Sequence, residues 1–225
     1  MERLVIVGCG QHANVVAYNL KCQRKYELIG YFDSDQTKIG EMHNGFPVLE
    51  CYKDANLSEL REKYGVSKFF IGFGNMKYRK SVYNDFVEAG WEAANIFHPD
   101  AVISGDAVIG NGVLIEAGCL ITPNPIIGDN VVINTGSQVN HDNIVEDHVY
   151  IASGVILSGG VTVRENTLID DGVIVCLGRS VGKNCIIGAG AVDAPFVGEE
   201  ENIIQCARKE QIDDFIFLPR RHPFD

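Results

Sequence analysis

The chain lacks any stretch approaching the ~20 consecutive apolar residues that a membrane span requires, and its first nine residues carry no basic segment or cleavage site ahead of an apolar core. A bilayer-spanning protein and a secretory precursor are disfavoured, and a cytoplasmic location is expected. Positive charge is also scarce. Nineteen Lys and Arg stand against thirty Asp and Glu, and the net charge of -11 repels phosphate backbones and anionic lipid surfaces. The basic clusters are only short ones, as at Lys77 to Lys80 and Arg220 to Arg221, so neither nucleic acid nor a membrane is an expected partner. Cysteine motifs are missing as well. The seven cysteines are an odd number with no C-x-x-C pair, which argues against a zinc knuckle or a disulfide framework, and no metal is expected. With seven prolines, 46% apolar and 22% charged residues, the 24 glycines do not indicate disorder or collagen. At 225 residues the chain is long enough for one or two domains with cores of their own.

What is present is a repeat. From Phe97 an apolar residue recurs every sixth position through Ile103, Ile109, Ile115, Ile121, Ile127, Ile133, Val139, Val145, Ile151, Leu157, Val163, Ile169, Val175, Val181 and Ile187, and the register ends at Asp193. In a composition that is 46% apolar, sixteen matches in sixteen arise by chance with a probability on the order of 10⁻⁶. Small, turn-forming residues such as Gly118, Gly136, Gly154 and Gly172 lie between the anchors. Six-residue spacing with tight corners predicts a parallel β-helix burying one continuous apolar column. An ordinary sandwich would need hairpin turns and strands of uneven length.

The first half differs. Strand patterns at Arg3–Val7, Glu27–Phe32 and Lys68–Gly72 alternate with helical patterns at Ala13–Lys21, Leu57–Tyr64 and Tyr78–Ala89. This alternation predicts a small parallel α/β domain. The expected organisation is a Rossmann-like domain over 1–96, a β-helix over 97–197 and a tail over 198–225, with a short helix at Gln211–Leu218.

Two motifs carry chemistry. Gly8-x-Gly10-x-x-Ala13 follows a strand, and Asp33 lies twenty residues beyond Ala13. This is the spacing of a dinucleotide fingerprint, in which glycines admit phosphates to a helix N-terminus and an acid holds a ribose. About 96 residues supply only one mononucleotide half, so a nucleotide-linked ligand is expected rather than NAD, with a purely structural turn as the third possibility. Within the repeat stands His141-Asp142, an imidazole able to accept a proton near neutrality beside a carboxylate able to fix its tautomer. His148 reads equally well as a solvated corner residue.

Together, Gly8-Cys9-Gly10-Gln11-His12, Phe32-Asp33-Ser34, Ile71-Gly72-Phe73-Gly74-Asn75, Asn134-Thr135-Gly136, His141-Asp142, Ile151-Ala152-Ser153-Gly154 and Ser158-Gly159-Gly160-Val161 resemble the sugar acyltransferases of the NeuD/PglD type. The likeness runs in order over about residues 3 to 192. It implies a left-handed β-helix, homotrimers, and acetyl transfer from acetyl-CoA to the amine of a nucleotide-linked deoxyamino sugar. It also implies roles: His141 as catalytic base with Asp142 as its carboxylate; Gly10, Gln11, His12, Asp33, Ser34 and Gly74 as nucleotide-sugar contacts; Tyr150, Gly159, Asp171 and Ala189 as acetyl-CoA contacts. Gly159 would offer its N–H to the thioester carbonyl.

If three hexads make one coil, as the resemblance implies, residues eighteen apart stack ~4.8 Å apart, so Gly159 falls over His141 and Ala189 over Asp171. A glycine there is expected to leave room for the thioester. Two departures stand out. Tyr150 occupies the position of a second histidine, and the usual Gly-x-Pro-Ala-Lys segment is blurred into Gly198-Glu199-Glu200-Glu201 and Cys206-Ala207-Arg208-Lys209. The expected chemistry is direct transfer without an acylated cysteine. The alternatives are O-acetylation of a sialic-acid-like sugar, a non-catalytic nucleotide-binding module, or an NAD-linked oxidoreductase.

Overall fold

The computed structural model describes residues 1–192 and the backbone of 202–203; the tail helix expected at 211–218 lies outside the described residues. Residues 1–93 build one sheet. Its strands are β1 (Glu2–Val7), β2 (Tyr26–Asp33), β3 (Met42–His43), β4 (Phe46–Cys51), β5 (Lys68–Ile71) and β6 (Glu92–Ala93), in the order β3-β4-β2-β1-β5-β6. All neighbours are parallel except the edge hairpin β3–β4. The central run Leu4-Val5-Ile6-Val7 is wholly buried because helices cover the sheet, as parallel strands require. The helices are α1 (Gln11–Gln23), α2 (Leu57–Tyr64) and α3 (Met76–Glu88). Asn56 and Asn75 cap α2 and α3, each side chain accepting a backbone N–H two residues on, whereas Gly10 gives α1 no side-chain cap. The sequence pattern missed β3, β4 and β6. Pro47 and Glu50 interrupt the apolar pattern of β4, and β3 and β6 are only two residues long.

The order reverses at β1. One crossover leads from β1 to β2, and the later strand β5 returns to β1's other side. The loops Gly8–Gly10 and Gly72–Asn75 therefore flank a topological switch point, where open α/β sheets hold their ligands.

From β7 (Ile96–Phe97) to β22 (Ile186–Ile187), sixteen two-residue strands follow at six-residue intervals. From β7 to β19 (Leu168–Ile169) each pairs in parallel with the strand eighteen residues on, as Leu114 does with Val132 and Val132 with Tyr150. The result is the left-handed β-helix, a prism with three faces starting at Ile96–Phe97, Val102–Ile103 and Val108–Ile109. Every anchor from Ile115 to Ile187 is at most 1% exposed, while Phe97, Ile103 and Ile109 at the open end are only partly buried. Each buried aliphatic side chain contributes roughly 1.5–3 kcal/mol. The corners turn through left-handed residues stacked eighteen apart. In the corner between the second and third faces these are Asn124, Asp142 (φ 58°), Gly160 and Gly178. Asn and Asp tolerate this region better than other side chains, which explains their place in the column.

The α/β layer sits on the first face. There the outward side chains Leu114 and Val132 are fully buried against Ile6, Ala13 and Val16. Helix α3 reaches the corner between the third and first faces, where Lys80 pairs with Glu165 at 2.6 Å and the Tyr83 ring meets His148 edge-on at 5.5 Å. His148 is 6% exposed and shares a hydrogen bond with Asn130, so the expectation of a solvated corner residue is corrected: α3 covers it. Among the described residues nothing comparable covers the outward residues of the other two faces, and Val102 and Val108 are each 62% exposed.

Candidate active site

The switch point opens into a cleft of about 670 Å³ lined by Gly8, Gly10, Asp33, Ser34 and Asn75, with Lys38, Tyr52, Lys53 and Asp85 around it. Asp33 organises the cleft. One carboxylate oxygen accepts the Cys9 N–H (3.0 Å) and thiol (2.9 Å), and the other accepts the Asp35 N–H (3.0 Å) and the Lys38 ammonium (3.1 Å). Burial opposes ionisation, but the hydrogen bonds from Cys9, Asp35 and Lys38 outweigh it and hold the carboxyl below its ordinary range. The same environment disables Cys9 as a nucleophile, since burial and then Asp33 push its thiol up to about 11.

Gln11 and His12 open α1; Gln11 is exposed, while His12 is half-buried with its Nε2 shielded from solvent. Burial and then the charge of Arg79 push its imidazole down to about 3, so it is neutral at physiological pH. Its ring lies 5.8 Å from that of Tyr150. Tyr150 also supports Gly74, where an added Cβ would stand 3.3 Å from the ring, and its hydroxyl accepts from the Asn134 amide at 3.1 Å. Tyr150 thus joins the nucleotide-side turns to the first face of the prism.

His141 stands at the corner between the second and third faces, on the far side of the prism from the α/β layer. Its Nδ1 is 2.8 Å from the Asp142 carboxylate, whose other oxygen accepts from the Asn124 amide at 3.2 Å. The His141 bond first, and the Asn124 bond second, hold Asp142 below the usual carboxylate range. With Nδ1–H donating to this carboxylate, Nε2 keeps its lone pair. The imidazole is 59% exposed, open to an incoming substrate.

The ring leans along the prism onto Gly159. A Cβ built there would overlap Nε2 and Cε1. Gly159 is not in the left-handed region; Gly160 (φ 66°) makes the turn, so what demands glycine at 159 is the imidazole itself. The expectation that this space is left for the thioester is corrected: the ring fills it. The Gly159 N–H remains available. Several of the corresponding corner N–H groups are capped by acids, Asp129 by Asp147, Thr135 by Glu116 and Ser153 by Asp171. The column of Gly159 is Pro123, His141, Gly159 and Leu177, which holds no carboxylate, and this N–H has no backbone partner among the described residues.

Asp171 and Ala189 do share a column, but at the corner between the first and second faces, one face away from His141 and Gly159. Within one chain the structure therefore joins His141, Asp142 and Gly159, separately joins Gly10, Asp33 and Ser34 at the cleft with His12 and Gly74 at its edge, and does not bring the two groups together. Sequence reasoning missed Asn124 and Arg79. The first was legible as the residue eighteen before Asp142. The second was legible as a cation on the apolar stripe of α3, with Val82, Tyr83 and Phe86.

Residues 3–86 match the family model of the PglD N-terminal domain. Over 92% of this chain and 96% of the other, the fold superposes with a TM-score of 0.83 and 30% identity on a histidine-to-alanine variant of GDP-perosamine N-acetyltransferase from Caulobacter crescentus, bound to CoA and GDP-perosamine. The chain belongs to the NeuD/PglD-type sugar acyltransferases. A second similar structure is the acetyltransferase domain of PglB from Neisseria gonorrhoeae in complex with acetyl coenzyme A, at 26% identity and TM-score 0.79 over 89% of this chain and 95% of that one. WeeI from Acinetobacter baumannii shares the fold at 18% identity and TM-score 0.73 over 92% and 99%. As a NeuD/PglD-type acyltransferase the chain is an enzyme, and the oxidoreductase and non-catalytic alternatives fall away.

Proposed function

We propose that the enzyme transfers the acetyl group of acetyl-CoA directly to the amine of a nucleotide-linked deoxyamino sugar, with His141 as general base. The observation that carries this reading is the Nδ1–Asp142 bond of 2.8 Å, which leaves Nε2 basic beside the free N–H of Gly159. The amine attacks the thioester carbon, a C–N bond forms, and Nε2 takes the proton the amine loses. The Gly159 N–H receives the negative oxygen of the tetrahedral intermediate. Collapse breaks the C–S bond, and the imidazolium returns a proton to the departing CoA thiolate. No residue is acylated, in keeping with the raised thiol of Cys9.

The acceptor sits in the cleft by its nucleotide, with Gly10, Gln11, His12, Asp33, Ser34 and Gly74 around it. A homotrimer supplies the proximity one chain lacks, and the exposed outward residues Val102, Val108, Ile126 and Ile144 flank the His141 corner as an apolar contact surface. Acetyl-CoA then runs between prisms, touching Gly159 at one chain's corner and Asp171 and Ala189 at the neighbour's, with Tyr150 toward its acyl end. The amine acceptor is favoured over a sialic-acid-like hydroxyl because the 30%-identical relative is an N-acetyltransferase. The test is CoA release with a panel of UDP-, GDP- and dTDP-linked amino sugars and with sialic acid. Turnover on an amino sugar that collapses in His141→Ala is expected; turnover on the hydroxyl substrate alone, or full activity in His141→Ala, overturns the reading.

A further inference from the structure

Arg79 has no part in the chemistry above, yet it is a charge held 1% exposed directly behind Phe73, one of the residues that line the cleft. Its Nη1 donates to the carbonyls of Ile71 and Phe73, both at 2.9 Å, while Nε and Nη2 are buried without a partner. The charged or titratable groups around it are Tyr150, Tyr83, His12 and His148, and none is a carboxylate. Burial pushes the guanidinium down to about 10, so it remains a cation at neutral pH. A buried cation without a counter-charge is costly, and such groups are normally paired. Apart from the Phe70 ring, 5.9 Å from Cζ, the described residues offer the guanidinium no counter-charge, and Arg79 is therefore half of an ion pair whose other half they do not supply.

The place of the missing anion follows from what surrounds the guanidinium. The Phe73 carbonyl lies in the turn that enters α3, and the His12 ring belongs to the first turn of α1. Both helices arrive at this crevice by their N-termini, each thirteen residues long, and neither has an acidic residue in its first turn. Their dipoles add to the positive potential of Arg79. His12, held neutral, neither competes for the anion nor adds charge. The crevice thus carries positive potential from three sources with no carboxylate at Arg79 to cancel it.

We propose that Arg79 is a positioning residue for the diphosphate of the nucleotide-linked acceptor, supplying its counter-charge between the Gly8–His12 and Phe73–Asn75 turns while holding the second turn in place. The inference rests on the acceptor reading given above. A unit charge acting over several ångströms in a partly buried site corresponds to about ten- to a hundredfold in affinity.

Calorimetric binding of GDP, UDP and the matching nucleosides to the intact wild-type protein, Arg79→Lys and Arg79→Met tests it. The wild type is expected to bind a nucleoside diphosphate about tenfold or more tighter than its nucleoside. Arg79→Met should weaken the diphosphate by about ten- to a hundredfold and leave the nucleoside within about twofold; Arg79→Lys, which keeps the charge, should retain the diphosphate preference. A purely structural role would weaken both ligands together, and that outcome overturns the proposal, as does no weakening of either. If Arg79→Met does not fold, the other two proteins decide: a wild type that binds the diphosphate no better than the nucleoside, or an Arg79→Lys that loses the preference, overturns it. A wild type that binds neither diphosphate yet acetylates a free sugar sinks the acceptor reading along with it, which is a distinct result.

Discussion

Gly159→Ala isolates the contact on which the proposed chemistry depends. The backbone at 159 accepts alanine without left-handed strain, so the substitution perturbs only what the new methyl meets. What it meets is the His141 ring, at 3.0 Å from Cδ2 and closer to Nε2 and Cε1. To recover ordinary contact the imidazole must move by about 1 Å, and a displacement of that size at a reacting group lowers turnover by ~10²-fold. The move also pulls on the 2.8 Å bond to Asp142, which fixes the tautomer. Stability should barely change, because the corner is exposed and the ring can swing outward. The assay is steady-state CoA release by wild type, Gly159→Ala, His141→Ala and the double variant, with melting temperatures as a folding control. If the methyl acts through the imidazole, the double variant should be no slower than His141→Ala, the coupling expected of groups that work as a unit. An independent, multiplicative loss in the double variant would refute this, because Gly159 would then act on acetyl-CoA rather than on the base.

Asp33→Ala removes four hydrogen bonds from the cleft and should raise the KM for the nucleotide sugar at least several-fold while leaving the KM for acetyl-CoA nearly unchanged; equal rises for both refute a cleft-specific role. Ile126→Asp places a charge on the uncovered third face, so light scattering should give monomers with little activity, and a fully active monomer would refute a site shared between chains. His12 is neutral in the folded protein with its pKa near 3, below the ordinary 6.5, so the unfolded chain binds more protons as the pH falls through 6.5. Stability is then fully present above 6.5 and is lost toward acid, by about 1.4 kcal/mol between pH 7.5 and 5.5; urea melts should show this slope flattened in His12→Gln, and an unchanged slope refutes it.

The hexad column was legible residue by residue, because a six-residue period has one physical solution in stacked short strands. The eighteen-residue arithmetic placed Gly159 over His141 and Ala189 over Asp171, since a repeat converts sequence separation directly into height along the prism. The parallel α/β half was legible where strands are continuously apolar, as at Leu4–Val7, and illegible at β3, β4 and β6, which are edge elements stabilised by neighbours rather than by pattern. What only the tertiary structure decided was lateral. Counting hexads assigns each residue a height but not the face on which the α/β layer docks, and that docking set His141 apart from the cleft, buried His148 beneath Tyr83, and drew Tyr150 beneath Gly74 and His12. The isolation of Arg79 was likewise invisible, because the absence of a partner is a property of the packed surroundings and not of any spacing along the chain.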